Sequence, residues 1–92
     1  MTEGVASADP LTLRRRRARY RAWHRGTKEM DIIMGRFADA ELEGMNAHEL
    51  DLFEELIDVG DPELFSWIVK GGEVPEAYRT PLFQRLKAFH LG

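Results

Sequence analysis

Cysteine is absent from the chain of 92 residues. Disulfides, thiolate catalysis and metal sites built from thiolates are therefore excluded, and we expect a reducing compartment, namely the cytoplasm. The sequence also lacks the run of about 18 apolar residues that a membrane-spanning helix needs, so no insertion into a membrane is expected. Its first residues, MTEGVASADPLTL, lack the basic start and the apolar stretch of a signal peptide.

Residues that commonly carry catalysis are also scarce. Serine occurs only as Ser7 and Ser66, and neither has a base at a recognisable spacing. The histidines, His24, His48 and His90, do not follow zinc-ligand spacing, and the glycines form no phosphate-binding loop. A chain this short buries only roughly 60–65% of its unfolded surface, which leaves little room for a deep cavity. We therefore expect a protein that has no metal site and acts through its surface.

Charge is distributed very unevenly. Residues 1–28 carry eight Lys/Arg and two Asp/Glu, whereas residues 29–92 carry five Lys/Arg and fourteen Asp/Glu. The run Arg14–Arg17 leaves three interpretations open: a nucleic-acid arm, a solvated helix face, or a docking face for an acidic protein. The acidic remainder of the chain would repel a duplex, so we expect no nucleic acid as partner. A nucleic-acid-binding regulator acting through this arginine-rich helix is the alternative function.

The apolar residues recur with helical periodicity throughout, and no segment alternates with a period of two. This pattern predicts an all-α fold, a compact bundle of about five short helices. Residues 1–10 are predicted to be a disordered tail, and residues 11–92 a single helical domain. Helices are expected over residues 11–24, 27–42, from 47 to before Gly60, from 62 to before Gly71, and 81–91.

Polar residues mark the starts of the later helices. Asn46 and Glu49 form a capping box, Asp61 is predicted to cap a helix that begins at Pro62, and Thr80 to cap the last one. Trp67 is predicted to be largely buried. The residues expected to face the core are Leu13, Tyr20, Trp23, Met30, Ile33, Met34, Phe37, Ala38, Leu50, Phe53, Leu56, Ile57, Leu64, Phe65, Ile68, Val69, Leu82, Phe83, Leu86 and Phe89.

The segment RGTKE, residues 25–29, lies between the first two predicted helices. It combines a fixed cation, a flexible glycine and a carboxylate at one corner, which would let a partner's backbone approach closely and form oriented hydrogen bonds. The spacing equally allows an ion pair between Arg25 and Glu29. The residues alone leave both interpretations open, and both side chains are expected to be substantially exposed.

RGTKE matches the RGxxE motif of the SdhE-type FAD assembly, or flavinylation, factors of succinate dehydrogenase, and its surroundings resemble that family. YRAWHRGTKEMDIIMGRFAD is similar to the family's first half, and DLFEELIDVGDPELFSWIVKG to its second half, including Asp61-Pro62 and Trp67. The similarity extends from about Leu11 to Leu91. Thr27 stands where many members have methionine.

The resemblance implies a bundle of about five helices that binds the flavoprotein subunit of succinate dehydrogenase and promotes covalent FAD attachment. The resemblance also implies that the related fumarate reductase subunit is a second client. The resemblance implies a binding chaperone that is not an enzyme. FAD would be attached to the client and none held stably by the chain, which we expect to be monomeric. The predicted partner-binding residues are three that the resemblance implies and three neighbours: Arg25, Gly26, Glu29, Thr27, Lys28 and Asp31.

Overall fold

The computed structural model describes residues 9–92, and within this range all regular structure is helical. The all-α prediction is therefore confirmed. Two short 3₁₀ turns, Leu42–Gly44 and Glu76–Tyr78, and a π-helical segment, Ser66–Lys70, accompany five α-helices. The α-helices are α1 (Pro10–Trp23), α2 (Lys28–Glu41), α3 (Ala47–Ile57), α4 (Asp61–Phe65) and α5 (Pro81–Leu91).

Helix α1 begins earlier than predicted. Asp9 is its N-cap, accepting hydrogen bonds from the backbone of Leu11 and Thr12, and Pro10 is its first residue. Proline suits this position because the first turn of a helix has no use for its missing N–H. The rest of the expected tail, residues 1–8, lies outside the described residues.

The buried side of α1 differs from the prediction. Ala18 and Ala22 face the core, whereas Tyr20, predicted to face inward, is 64% exposed, and Leu13 is also exposed. Small side chains let α1 lie close against the bundle, so packing favours the alanine side over the larger residues. Trp23 is half-buried, and it lies on Gly35 of α2, where an added Cβ would come within 2.1 Å of the ring.

Helices α2 and α3 each contribute four hydrophobic residues to the core, at positions that their apolar spacing predicted. Thr27 caps α2, since its Oγ1 accepts a hydrogen bond from the N–H of Met30 at 3.4 Å. Asn46 and Glu49 form the predicted capping box at the start of α3. The buried residues of the two helices include Met30, Met34, Phe37, Ala38, Leu50, Phe53, Leu56 and Ile57.

The start of α4 corrects one prediction. Gly60 is the N-cap, and Asp61 and Pro62 are the first two helical residues. The Asp61 carboxylate does not cap the helix, because it faces the corner between α1 and α2 (below). The π-helical segment that continues α4 carries Trp67, which is 8% exposed, as predicted.

Helix α5 closes the bundle. Thr80 caps it as predicted, with Oγ1 accepting from the N–H of Phe83 at 3.1 Å. Phe89 was expected to face inward but lies at the periphery, where its ring packs edge-on against Phe37 at 5.6 Å between centroids. Val69 is likewise exposed rather than buried. Among the helices of residues 9–92, none is long and apolar enough to cross a membrane.

Candidate functional site

The backbone between α1 and α2 is held in a sharp turn, which we call the RGxxE corner (residues 25–29). Gly26 has φ 112°, a conformation that side chains rarely adopt, and an added Cβ would meet nothing within 4 Å. The Asp31 carboxylate accepts hydrogen bonds from the N–H groups of Arg25 at 2.5 Å and Gly26 at 3.2 Å. Asp31, predicted to bind a partner, therefore also fixes the corner's own backbone.

The Arg25 side chain reaches inward, so the prediction that it is substantially exposed was wrong. Only 6% of it is exposed. Its Nε donates to Asp61 Oδ1 at 2.8 Å and its Nη2 to the carbonyl of Val59 at 2.5 Å, and Nη1 donates to the carbonyl of Ile57. The C-terminal carbonyls of a helix lack partners within that helix, and a guanidinium satisfies several of them at once. Arg25 thus links the corner to the end of α3.

Asp61 completes this link from the start of α4. Its Oδ1 lies 2.7 Å from Arg25 Nη2, and its Oδ2 accepts from Thr27 Oγ1 at 3.4 Å. The Arg25–Glu29 ion pair that the spacing allowed is not formed, because Arg25 pairs with Asp61. Sequence reasoning missed Asp61 as part of the site, although its position in the Asp61-Pro62 pair of the family pattern was a signal.

The corner's outer surface consists of Gly26, Thr27, Lys28 and Glu29, all of which are exposed. Two open grooves lie beside it, and Asp61 lines both. One, of about 430 Å³, is lined by Thr27, Glu29, Met30, Asp61, Pro62 and Phe65. The other, of about 380 Å³, is lined by Tyr20, Arg21, His24, Arg25, Ile57, Gly60 and Asp61.

Most arginines of α1 are engaged within the molecule. Arg14 pairs with Asp51 at 2.6 Å and with Glu54 at 2.8 Å, and its hydrogen bonds to Glu54 and Asp51 raise the pKa of its guanidinium. Arg15 donates to the carbonyls of Leu42 and Met45. These contacts join α1 to α3 and to the end of α2, so much of the run is structural rather than a solvated face.

Arg19 and Arg21 also have acidic neighbours, Asp39 at 3.3 Å and Asp58 at 2.5 Å respectively. Arg16 and Arg17, by contrast, are exposed and form no ion pair with any residue in the range 9–92. The arginines of α1 therefore divide into four that contact other parts of the bundle and two, Arg16 and Arg17, that face solvent.

The arrangement suits recognition. It presents an exposed carboxylate, an exposed ammonium group and an open glycine on a turn that two half-buried aspartates hold in place. Asp31 bonds to its backbone, and Asp61 bonds to the side chains of Arg25 and Thr27. In residues 9–92 no three histidine, aspartate or glutamate side chains are grouped to hold a metal ion. A rigid, exposed corner of this kind can bind a partner without first having to become ordered.

A family model described as flavinator of succinate dehydrogenase matches residues 16–90, which is most of the chain. The chain belongs to this family. This membership confirms the family resemblance of the sequence. The family is one of succinate dehydrogenase assembly factors.

Individual relatives agree with the family. The chain is 43% identical to the FAD assembly factor SdhE of Acetobacter pasteurianus over 83 residues, which cover 90% of this chain and 75% of the relative. It is 34% identical to the FAD assembly factor SdhE of Acinetobacter baylyi over 82 residues, which cover 89% and 95%.

The mitochondrial relatives are longer. The chain is 39% identical to succinate dehydrogenase assembly factor 2 of Cryptococcus neoformans over 80 residues, which cover 86% of this chain but only 45% of that protein. The chain thus spans about half the length of such flavinator relatives. No solved structure matches it significantly.

Proposed function

We propose that this chain binds the flavoprotein subunit of succinate dehydrogenase and promotes covalent attachment of FAD to that subunit, acting as an assembly partner and not as an enzyme. The family membership and the relatives named FAD assembly factors support this proposal. The observation that carries it is the exposed, internally braced RGxxE corner. Fumarate reductase's related subunit is a second client in this proposal.

The two charged residues of the motif have different roles in this proposal. Glu29 is exposed and is available to accept hydrogen bonds from a partner, together with the outer surface of Gly26, Thr27 and Lys28. Arg25 is a positioning residue, because its guanidinium is committed to Asp61 and to carbonyls at the end of α3. Arg25 therefore affects partner binding mainly by fixing the shape of the corner.

Binding alone is sufficient for the proposed role. Covalent flavinylation depends on placing the reacting groups of the flavoprotein subunit and FAD correctly within that subunit. A partner that prefers the competent arrangement raises its population, and a tenfold rise in the population ratio needs only about 1.4 kcal/mol of differential binding. In this proposal FAD becomes attached to the partner, and the chain acts as a monomer. It acts in the cytoplasm, a reducing compartment that suits a cysteine-free sequence.

The proposal is tested by expressing the flavoprotein subunit in cells that lack the chain, with and without the wild-type chain supplied. Flavin fluorescence of the subunit after denaturing electrophoresis measures covalent FAD. We expect the wild-type chain to increase this fluorescence and to be recovered with the subunit in a pull-down from native extract. Unchanged flavinylation together with no recovery of the subunit would contradict the proposal.

A further inference from the structure

The outward side of α1 carries a continuous row of exposed residues, which we call the α1 stripe: Leu13, Arg16, Arg17, Tyr20 and His24. At 3.6 residues per turn these positions lie on one side of the helix, opposite the buried side that carries Ala18 and Ala22. The stripe extends about 16 Å along the helix, at 1.5 Å per residue. It ends directly before the RGxxE corner. Asp61 lines both the groove beside Tyr20 and His24 and the groove beside Thr27 and Glu29, so the two surfaces are continuous.

An aromatic ridge forms the end of the stripe next to the corner. Tyr20 is 64% exposed, and its ring stacks on His24 with centroids 4.0 Å apart and planes at 18°. His24 Nδ1 lies 2.7 Å from the carbonyl of Tyr20 and must donate, because a carbonyl only accepts. The stacking and this hydrogen bond hold both rings in place.

Grooves lie on both sides of this ridge. One is the groove of about 380 Å³ that also contains Arg25 and Asp61. The other, of about 340 Å³, is lined by Arg16, Arg19, Tyr20, Trp23 and His24. A fixed, protruding tyrosine flanked by arginines has the composition of an interface hot spot, where tyrosine, tryptophan and arginine are enriched.

The charge of the stripe indicates the chemistry of its partner. Arg16 and Arg17 form no ion pair within residues 9–92, whereas Arg14, Arg19 and Arg21 do. The chain beyond residue 28 is acidic, with fourteen Asp/Glu against five Lys/Arg. Since no carboxylate of residues 9–92 pairs with Arg16 or Arg17, their charge is available to attract an acidic partner and to steer its approach.

We infer that the α1 stripe binds an acidic patch of the flavoprotein subunit, beside the site that meets the RGxxE corner. This inference rests on the proposed function, because one partner then covers both continuous surfaces. Nucleic acid fits less well. The stripe offers only two arginines, Arg16 and Arg17, to the phosphates, and each phosphate neutralised contributes only about −0.9 to the salt slope.

The test measures binding of the full chain to the purified flavoprotein subunit at low and at physiological salt. The variants are the double charge reversal R16E/R17E and Tyr20→Ala, and the control is Arg36→Glu, which reverses an exposed arginine on α2. We expect the double reversal to weaken binding at least tenfold at low salt and to flatten the salt dependence. Tyr20→Ala should weaken binding about tenfold at both salt concentrations, and Arg36→Glu should stay within about twofold of wild type.

The outcomes separate this inference from the proposed function. Wild-type affinity of both stripe variants, with Glu29→Ala impaired in the same assay, would overturn the stripe and leave the proposed function standing. Absence of binding by the wild-type chain would overturn both. A third outcome would favour nucleic acid over the acidic partner. In that outcome the wild-type chain is retained on immobilised DNA or RNA, and R16E/R17E abolishes this retention without changing the affinity for the flavoprotein subunit.

Discussion

Arg25 and Asp61 form an ion pair across 36 residues of chain, with Nη2 and Oδ1 2.7 Å apart. The pair joins the RGxxE corner to the start of α4, so two segments that look separate in the sequence form one structural unit. It also divides the motif between an inner and an outer part. Arg25 braces the corner from within, and Glu29 faces solvent.

Removing either member of this pair should destabilise the fold. The Arg25 side chain is 6% exposed and that of Asp61 20% exposed, so Arg25→Ala or Asp61→Ala leaves a poorly solvated charge without its partner. Such losses cost about 3–5 kcal/mol for a fully buried pair, and this partly buried pair should lose less than that. Urea unfolding should show both variants well below wild type, and the double variant less destabilised than the two effects added together. Additive effects, or melting like that of wild type, would mean that the pair contributes nothing to stability.

Any side chain at Gly26 should lower the stability of the fold. An added Cβ meets no atom within 4 Å, so the effect of Gly26→Ala arises from the backbone at φ 112° and should be about 1–3 kcal/mol. Gly44→Ala is the matched control, because its Cβ is also unobstructed but its φ is not positive. Thermal melts should separate the two variants clearly. Equal melting temperatures would show that the corner's backbone is not strained by a side chain.

Trp67→Ala tests the core. The indole is 8% exposed and packs against Tyr78 and Phe83, with centroids 5.2 and 6.4 Å away. Removing a large buried side chain costs roughly 3–5 kcal/mol, a large share of the stability of a domain this size. Denaturant unfolding monitored by circular dichroism measures the loss. A wild-type midpoint would place the indole outside the core.

Glu49 should make stability depend on acid pH. Its hydrogen bond to Arg85, with a second to the N–H of Asn46, lowers its pKa in the folded chain. The resulting stabilisation is complete above the pKa of the unfolded chain, about 4.3, and is lost as the pH falls through the lower pKa of the folded chain. Glu49→Gln keeps the capping geometry but removes the titration. The stability difference between wild type and this variant should shrink below about pH 4.3, and a constant difference would contradict the assignment.

Local patterns predicted the parts of the fold that depend on local interactions. The buried faces of α2 and α3 were recognisable because large apolar residues recur every three or four positions. The caps at Asn46 and Thr80 were recognisable because each depends on a neighbour three residues away. The buried side of α1 was missed because its alanines carry little hydrophobic signal beside Tyr20. Which of these faces is buried is decided by how closely α1 can approach α2.

The candidate site shows the same limit. The residue pattern placed a corner at residues 25–29, and the family resemblance gave it a function, but neither indicated which side chains point inward. Arg25 is buried because Asp61 and the end of α3 come within reach only in the folded chain. Asp61 was interpreted as a helix cap since a local pattern explained it fully. Contacts between distant segments thus decided the roles that local spacing left open.

The most direct test of the central claim compares Glu29→Ala with Glu43→Ala, which removes an exposed glutamate just beyond the opposite end of α2. The free energy of unfolding of both variants should lie within about 0.5 kcal/mol of the wild-type value, because exposed carboxylates contribute little to stability. Flavin fluorescence of the flavoprotein subunit after denaturing electrophoresis then measures function. We predict that Glu29→Ala loses most covalent flavinylation while Glu43→Ala retains it. Full flavinylation with a folded Glu29→Ala variant would contradict the assignment of the RGxxE corner as the partner-binding site.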